Sequence, residues 1–289
     1  MLLTKRGFTL VELLIALVLM GLVSTAIYTL LVNNQRLYRQ QTEKVAVNDN
    51  LRSAVAILTS ELRELDAADP LGSDIIAMTA TSITYRGMRG FRWVCLGPSI
   101  GNVLALDTTR LGLRSVDASY DSLLIYADSN PLLASDDHWY HANVTANPTN
   151  AVDCPGGSRR ITFSISLGAR TALAGADDVL AGAPVRVFEI ARMMSYLDVS
   201  GATWLGMQRY NKTSGWTTLQ PVVGPLGAGG LTFTYYDANG NVTADRAQVA
   251  RVQVTVIAQT ADKVLRKTSG GVDYLVDTLV TQVALRNSR

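Results

Sequence analysis

The sequence is poor in the residue types from which metal and catalytic centres are built. It has two histidines and two cysteines among 289 residues, and neither cysteine lies in a C-x-x-C pattern. The H-E-x-x-H, G-x-S-x-G and P-loop patterns are missing, and the segment "GPLGAGG" lacks the spacing of a dinucleotide-binding loop. We therefore expect no enzyme activity, no cofactor and no bound metal.

An excess of charge of either sign is missing as well. The chain has 26 Lys and Arg residues against 24 Asp and Glu residues, a formal net charge of +2. A balanced charge provides no overall attraction to nucleic acid or to acidic lipid. We therefore do not expect nucleic acid to be a partner.

What the sequence does have is a long apolar run at residues 8–32, in which Glu12 is the only charged residue. At about 1.5 Å per residue, a helix of this length spans the roughly 30 Å hydrocarbon core of a bilayer. Lys5 and Arg6 precede the run, and the positive-inside rule keeps them cytoplasmic while the rest of the chain crosses the membrane. A secretory signal has its small-residue cleavage site after the apolar core, whereas Gly7 precedes it here.

The segment "RGFTLVELLIALVLMGLV" resembles the class III signal of type IV prepilins and of type II secretion pseudopilins. The resemblance implies that a prepilin peptidase cleaves between Gly7 and Phe8 and removes a leader of residues 1–7. It also implies N-methylation of Phe8 by the peptidase/N-methyltransferase, and a role for Glu12 in filament assembly. The alternative is a plain signal anchor in which Glu12 is incidental.

Physical chemistry agrees with a special role for Glu12. A carboxylate near the bilayer interior costs at least about 2.5 kcal/mol. Cleavage would create an amine on Phe8, four residues away on the same helical face. The amine of a neighbouring subunit would serve equally well. We therefore expect Glu12 to be the charge that directs assembly.

The fold predicted after this segment is α+β and pilin-like. A seam of Leu51, Val55, Leu58, Leu62 and Leu65 extends the helix to residue 65, where "DAADP" ends it. Period-two alternation then dominates, as in "VARVQVTVIAQ" and "TLVTQVALR". We expect a helix over residues 8–65, membrane-spanning at 8–32, whose distal half packs on a large antiparallel β-rich head at 66–289.

The head carries a more scattered resemblance. The segments "AVAILTSELREL", "YDSLLIYAD" and "LVTQVALRN" are similar to PilW-type minor pilins and partly to J-type minor pseudopilins. This resemblance implies a structural subunit in a priming or tip complex of a type IV pilus. The alternatives are a minor pseudopilin of a type II secretion system and a tip-located adhesin or DNA-binding module.

The same resemblance implies the partners and the location. The partners would be the prepilin peptidase/N-methyltransferase, other minor pilins and the major pilin, the inner-membrane assembly platform, and the lipid bilayer before assembly. The protein would be a single-pass protein of the bacterial inner membrane with a periplasmic head. Assembly would move it into a cell-surface pilus or a periplasmic pseudopilus.

Two patches of the head are candidate ligand sites. In "YRGMRGFRW", Arg86, Arg89 and Arg92 alternate with aromatic residues that include Trp93, a composition that suits single-stranded nucleic acid. In "DDHWYH", Trp139 lies between two histidines that could bind a metal or form an adhesive surface. The alternatives are a strand–turn–strand with solvated arginines and a polar loop leading into a strand.

The two cysteines, Cys95 and Cys154, allow one disulfide. An exported head lies in an oxidising compartment, where disulfides persist. On the chain-entropy model the bridge would stabilise the fold by roughly 4 kcal/mol. The alternative is two unpaired buried thiols.

Overall fold

A computed structural model describes the chain at residues 9–67, 72–99, 103–107, 111–112, 114–128, 130, 132–133, 137–151, 154, 160–167, 179–265 and 271–286. The chain divides into two compact units, residues 1–49 with 259–277 and residues 50–258 with 278–289. One helix, α1 (Leu10–Arg63), starts in the first unit and ends in the second.

The strands that the structure describes follow the helix without another α-helix between them. The first eight are β1 (Ile75–Met78), β2 (Ser82–Ser99), β3 (Val103–Asp107), β4 (Leu111–Gly112), β5 (Asp121–Ala127), β6 (His138–Ala151), β7 (Arg160–Leu167) and β8 (Pro184–Leu197). The others are β9 (Thr203–Asn211), β10 (Gly215–Trp216), β11 (Gln220–Tyr236), β12 (Arg251–Gln259), β13 (Val264–Leu265), β14 (Val272–Asp273) and β15 (Val276–Ala284).

The α+β prediction is confirmed. A long amino-terminal helix precedes a large sheet in which the strand pairings with a described register are antiparallel. Helix α1 ends at Arg63, two residues before the predicted end at residue 65, and the predicted start at residue 8 lies outside the described residues. The predicted strands at 122–128, 159–166, 186–194 and 231–237 all lie within or beside observed strands.

The distal part of α1 buries one stripe of side chains in the second unit. Leu51, Ala54, Leu58 and Leu62 recur at the three- and four-residue spacing of one helical face, and all are buried. Ala54 takes the place in the stripe that the sequence pattern assigned to Val55, which is only half-buried.

Strands β2 and β8 are among the longest strands of the head, with 18 and 14 residues. They pair with each other in antiparallel orientation along Ser82–Trp93 and Pro184–Met194. Further pairings run β2–β3, β3–β7, β7–β6, β6–β5 and β5–β8, so six strands close into a ring. The path β8–β9–β11–β12–β15 continues the sheet in the other direction.

The interior of the ring is the apolar core of the head. Its members include Val94, Leu106, Ile125, Val144 and Val187, one from each of five strands. Successive side chains of a strand point to opposite faces, so residues that alternate with these lie outside the ring. We call the side carrying Val187 and Glu189 the inner face of β8, and the side carrying Phe188 and Ile190 the outer face.

Candidate functional site: the capped apolar helix and its attachment to the head

Helix α1 begins with a reciprocal hydrogen-bond pair between Thr9 and Glu12. The Glu12 carboxylate accepts from the Thr9 amide and from the Thr9 hydroxyl, both at 2.9 Å, while the Thr9 hydroxyl accepts from the Glu12 amide at 3.3 Å. This arrangement is a capping box, which satisfies amide groups that the first helical turn leaves without partners. A negative charge at this position also interacts favourably with the positive end of the helix dipole.

The capping box means that Glu12 has partners on its own chain. In lipid, an unpaired carboxylate and an unpaired helix-end amide would each be costly. The hydrogen bonds with Thr9 give the Glu12 carboxylate and the Glu12 amide a partner each. Gly7 and Phe8 lie outside the described residues. The pairing of the Phe8 amine with Glu12, the cleavage between Gly7 and Phe8 and the methylation of Phe8 therefore stay predictions.

After Glu12 the helix is apolar around its whole circumference. Large side chains remain exposed on every side from Leu10 to Leu31. This stretch of α1 is long and apolar enough to cross a membrane, and none of it is buried inside the protein. A helix of this kind needs lipid or other apolar helices around it.

Two threonines inside the apolar stretch are accommodated without breaking the helix. The hydroxyl of Thr25 donates to the carbonyl of Gly21 at 2.8 Å, and that of Thr29 donates to the carbonyl of Thr25 at 2.8 Å. Both polar groups are therefore satisfied on the helix itself, which suits an apolar surrounding.

Comparison with known families agrees with this geometry. Residues 3–28 match the model of the prokaryotic N-terminal methylation motif. The match supports a type IV prepilin-like protein. Its residues include Gly7, Phe8, Thr9 and Glu12 and most of the exposed apolar helix, and they fit a single-pass protein anchored in the inner membrane. No curated protein and no solved structure matches the chain.

The distal end of α1 is attached to the head by a second glutamate. Glu61 accepts two hydrogen bonds from the Arg89 guanidinium, at 3.1 and 2.9 Å, and one from the Tyr85 hydroxyl at 2.9 Å. Arg89 and Tyr85 both belong to the inner face of β2. A further bond, from the Asn50 amide nitrogen to the Gly224 carbonyl at 3.0 Å, holds the helix 11 residues earlier.

Arg89 continues the attachment into a buried network of charges. Its Nε donates to Glu189 on β8 at 2.7 Å. Glu189 also accepts from Arg114 and from Arg209, each at 2.6 Å, and Arg114 pairs with Asp121 at 2.6 Å. Together with Glu61, three carboxylates meet three guanidinium groups, so the network is neutral. Because the charges compensate one another, they can be buried together.

The network changes the titration of its members. Burial alone would raise the pKa of Glu189, but Arg89 and Arg209 outweigh it and hold that pKa below its ordinary value. Burial alone would lower the pKa of Arg89, and its bonds to Glu61 and Glu189 raise it instead. Burial, reinforced by the Glu61 carboxylate, raises the pKa of Tyr85 well above its ordinary value.

Gly87 makes room for this network. A Cβ atom on residue 87 would lie 2.7 Å from the Arg89 Nη2 atom. Any side chain there would push the guanidinium away from Glu61 and Glu189. The glycine in "YRGMRGFRW" therefore serves the packing of Arg89.

The predicted disulfide is present. Cys95 at the end of β2 is bonded to Cys154, with a Cα–Cα distance of 5.8 Å. The bridge closes a segment with a sequence separation of 59 residues, which contains β3, β5 and β6 of the ring.

The structure divides the candidate ligand residues of the sequence between two faces. Arg86, Trp93 and Trp139 lie on the outer face of the ring strands, by their register with Ile190, Pro184 and Tyr126. Arg89 and Arg92 lie on the inner face; Arg89 is in the charge network and Arg92 is buried. The segment is one strand with a bulge between Met88 and Gly90, so the strand–turn–strand with solvated arginines is wrong.

The two histidines point to opposite faces of β6. His138 pairs with Ala127 and His141 with Leu124, and three residues along a strand reverse the side-chain direction. Within the described residues no group of three metal-binding side chains comes together. The polar-loop alternative is also only partly right, because the strand starts at His138 itself.

Sequence reasoning missed two features of this site. Thr9 and Glu12 have the T-x-x-E spacing of a capping box immediately before an apolar run, and that signal was present in the sequence. The pairing of Glu61 with Arg89 and Glu189 had no comparable signal. Glu61 and Arg89 are 28 positions apart, and Arg89 and Glu189 are 100 positions apart. The register of β2 with β8 brings Arg89 next to Glu189.

Proposed function

We propose that the protein is a minor subunit of a type IV pilus that helps to start the filament in a priming or tip complex. Residues 8–32 anchor the chain in the inner membrane before assembly and pack among other subunit helices afterwards. The observation that carries the proposal is the helix exposed and apolar on all sides, beginning at a capped Glu12 inside a methylation motif.

The apolar surface gives the helix two suitable environments. Each fully buried Leu or Ile side chain is worth about 1.5–3 kcal/mol over exposure to water. Lipid and a bundle of similar helices both provide this burial. The same segment can therefore leave the membrane for a filament without exposing its side chains to water.

The charge at Glu12 distinguishes the helix bundle from lipid, because only a bundle can offer the carboxylate an opposite charge at a defined position. Its cap with Thr9 satisfies the carboxylate in part, and the amine formed at Phe8 by cleavage would supply the opposite charge. In a filament the amine of a neighbouring subunit can pair with Glu12, and this pairing specifies lateral position. The partners in the proposal are other minor pilins, the major pilin and the assembly platform.

The size of the head supports a minor subunit. The described part of residues 66–289 contains a large sheet with a six-strand ring, which is bulky for a subunit repeated along a whole filament. A subunit used a few times at the start or tip would tolerate that bulk. The head would lie in the periplasm before assembly.

Deletion of the gene tests the proposal, with surface pili imaged and secreted proteins measured in the same strain. We expect loss of pili with secretion intact, restored by the wild-type chain. Intact pili with lost secretion would reject the pilus in favour of a type II secretion pseudopilus.

Complementation with Glu12→Ala and with Asp49→Ala sharpens the test. Asp49 is an exposed acid on the same helix, beyond the apolar run. We expect both variants in the membrane at equal levels, and only Glu12→Ala missing from sheared filaments. Equal recovery of the two variants would contradict the role of Glu12.

A further inference from the structure

The outer face of the ring holds a cavity that the proposed structural role does not use. Its volume is about 290 Å³, close to the lower end of the range for small-molecule sites. Phe188 and Ile190 of β8 form its apolar part. Phe188 is buried, and the ring of His141 lies beside it, with ring centroids 5.5 Å apart.

The other lining side chains are polar, and most have hydrogen-bonding capacity left over. The hydroxyls of Tyr120 and Tyr210 and the ring nitrogens of His141 have no partner in the described part of the chain. Asn143 accepts from Ser122 at 3.0 Å, which leaves its amide nitrogen without a partner among the described residues. These groups offer several donors and acceptors around one small space.

The charge at the cavity is positive. The Lys212 ammonium donates to the carbonyls of Asp121 and Val144, which leaves one of its three hydrogens for a ligand. The Arg86 guanidinium lies 5.8 Å from the centre of the Phe188 ring and adds a second cation beside the cavity, which Asp74, 4.0 Å from that guanidinium, offsets in part. The Asp121 carboxylate near Lys212 is already paired with Arg114, while Asp117 adds a partly opposing charge.

Neighbouring aromatic rings are already covered by the protein's own cations. The Arg209 guanidinium lies 4.0 Å from the centre of the Tyr120 ring, and that of Arg192 lies 4.4 Å from the centre of the Trp216 ring. A ring covered in this way offers at most one face for stacking. This arrangement does not favour nucleobases, which depend on open aromatic faces in single-stranded complexes.

We propose that this cavity binds one acidic sugar unit of an anionic polysaccharide, with its carboxylate on Lys212 and its hydroxyls on Asn143, His141 and Tyr210. The size fits a single sugar ring, the leftover donors and acceptors match a ligand rich in hydroxyls, and the cation matches a carboxylate. The protein would then hold a polysaccharide as well as take part in a filament, and the site stands whether or not the proposed function is right.

The test is titration of the purified full-length protein in detergent with galacturonic acid oligomers, followed by calorimetry. Neutral galactose oligomers of equal length and oligothymidylate are titrated in parallel. We expect the acidic oligomer to bind and the neutral one to bind about tenfold more weakly or worse, since it lacks the charged hydrogen bond.

Three variants tie the binding to the cavity. Lys212→Gln should weaken binding by about tenfold, the loss of one charged hydrogen bond. Tyr210→Phe removes only a hydroxyl, keeps the ring against Trp216 and should weaken binding by about threefold. Lys263→Gln removes a cation that lies over Tyr274, outside the cavity, and should leave binding unchanged.

Several results would overturn the proposal. They are no binding of the acidic oligomer, equal binding of the neutral oligomer, and equal binding by wild type and the two cavity variants. Tighter binding of oligothymidylate with the same dependence on Lys212 would assign the cavity to nucleic acid instead. If Lys212→Gln fails to fold, as judged by circular dichroism, the affinity of Tyr210→Phe relative to wild type tests the proposal, and equal affinity would overturn it.

Discussion

The two ends of helix α1 carry glutamates in opposite settings. Glu12 begins an exposed apolar stretch and is bonded to Thr9, three residues away on the same helix. Glu61 ends a stretch with one buried stripe and is bonded to Arg89 and Tyr85 of the sheet. One helix therefore has a part whose partners must come from outside the chain and a part whose partners the chain supplies.

Leu58 and Leu19 should show the largest contrast between the two parts. Leu58 is fully buried, whereas Leu19 is 57% exposed. We expect Leu58→Ala to lower the free energy of unfolding of the head by about 2–5 kcal/mol through lost burial and a cavity. Leu19→Ala should leave it unchanged. Denaturant unfolding of both variants in detergent measures this, and equal effects would contradict the division of the helix.

The disulfide should contribute next, without involving the helix. Cys95→Ser with Cys154→Ser should lower the free energy of unfolding of the head by about 2–4 kcal/mol, because the unfolded chain regains the freedom of a long loop. The control is the wild-type protein under reducing conditions, which should match the double variant. An unchanged melting temperature would reject a stabilising role for the bridge.

Glu61→Ala should have a smaller effect of about 2 kcal/mol on the same unfolding free energy. It leaves the Tyr85 hydroxyl and one side of the Arg89 guanidinium unpaired, while Glu189 still holds Arg89. The matched control is Glu64→Ala, which removes an exposed ion pair with Arg286 and should change the free energy by less than about 0.5 kcal/mol. Equal losses in the two variants would show that the buried network does not hold the helix.

The pH dependence of the head should come from the same network. The folded pKa of Glu189 is lowered, so its contribution to stability is complete above the unfolded pKa and is lost as pH falls through the folded pKa. We expect the melting temperature of wild type to fall below about pH 4.5, the ordinary value of the group. Glu189→Gln should start lower and fall less steeply over that range, and parallel curves would contradict the assignment.

Glu12→Ala should change the stability of the head least of all. Its bonds are confined to the first turn of α1, so the unfolding free energy of the head should stay within about 0.5 kcal/mol of wild type, as at other sites remote from the core. Thr9→Val is the companion variant, because it breaks the side-chain half of the cap and keeps the charge. A large loss of head stability in either variant would show that the two parts of the helix are not independent.

Local signals in the chain were enough for the amino-terminal apolar helix and for six strands, namely β5, β7, β8, β11, β12 and β15. The run at residues 8–32, the basic pair before it and the position of Glu12 are all visible along the sequence. The alternation around Val252, Val254 and Val256 correctly predicted β12. Each of these patterns depends on neighbours a few residues apart, which is why a single sequence reveals them.

The arginine-rich stretch shows where such signals fail. Arg86, Arg89 and Arg92 look equivalent in "YRGMRGFRW", yet one is on the outer face and two are on the inner face. Alternation along β2 and the bulge after Met88 decide the face, and a bulge shifts every residue that follows it. The bulge could not be located from the residues alone.

Residue order thus defined the long apolar helix and the antiparallel character of the head, since these depend on periodicity and short spacing. The folded chain alone decided which charges are buried together, which cysteine lies beside which strand, and which polar groups surround the outer cavity. The physical reason is distance along the chain. Glu61, Arg89 and Glu189 are far apart in the sequence and come together through the contact of α1 with β2 and the pairing of β2 with β8.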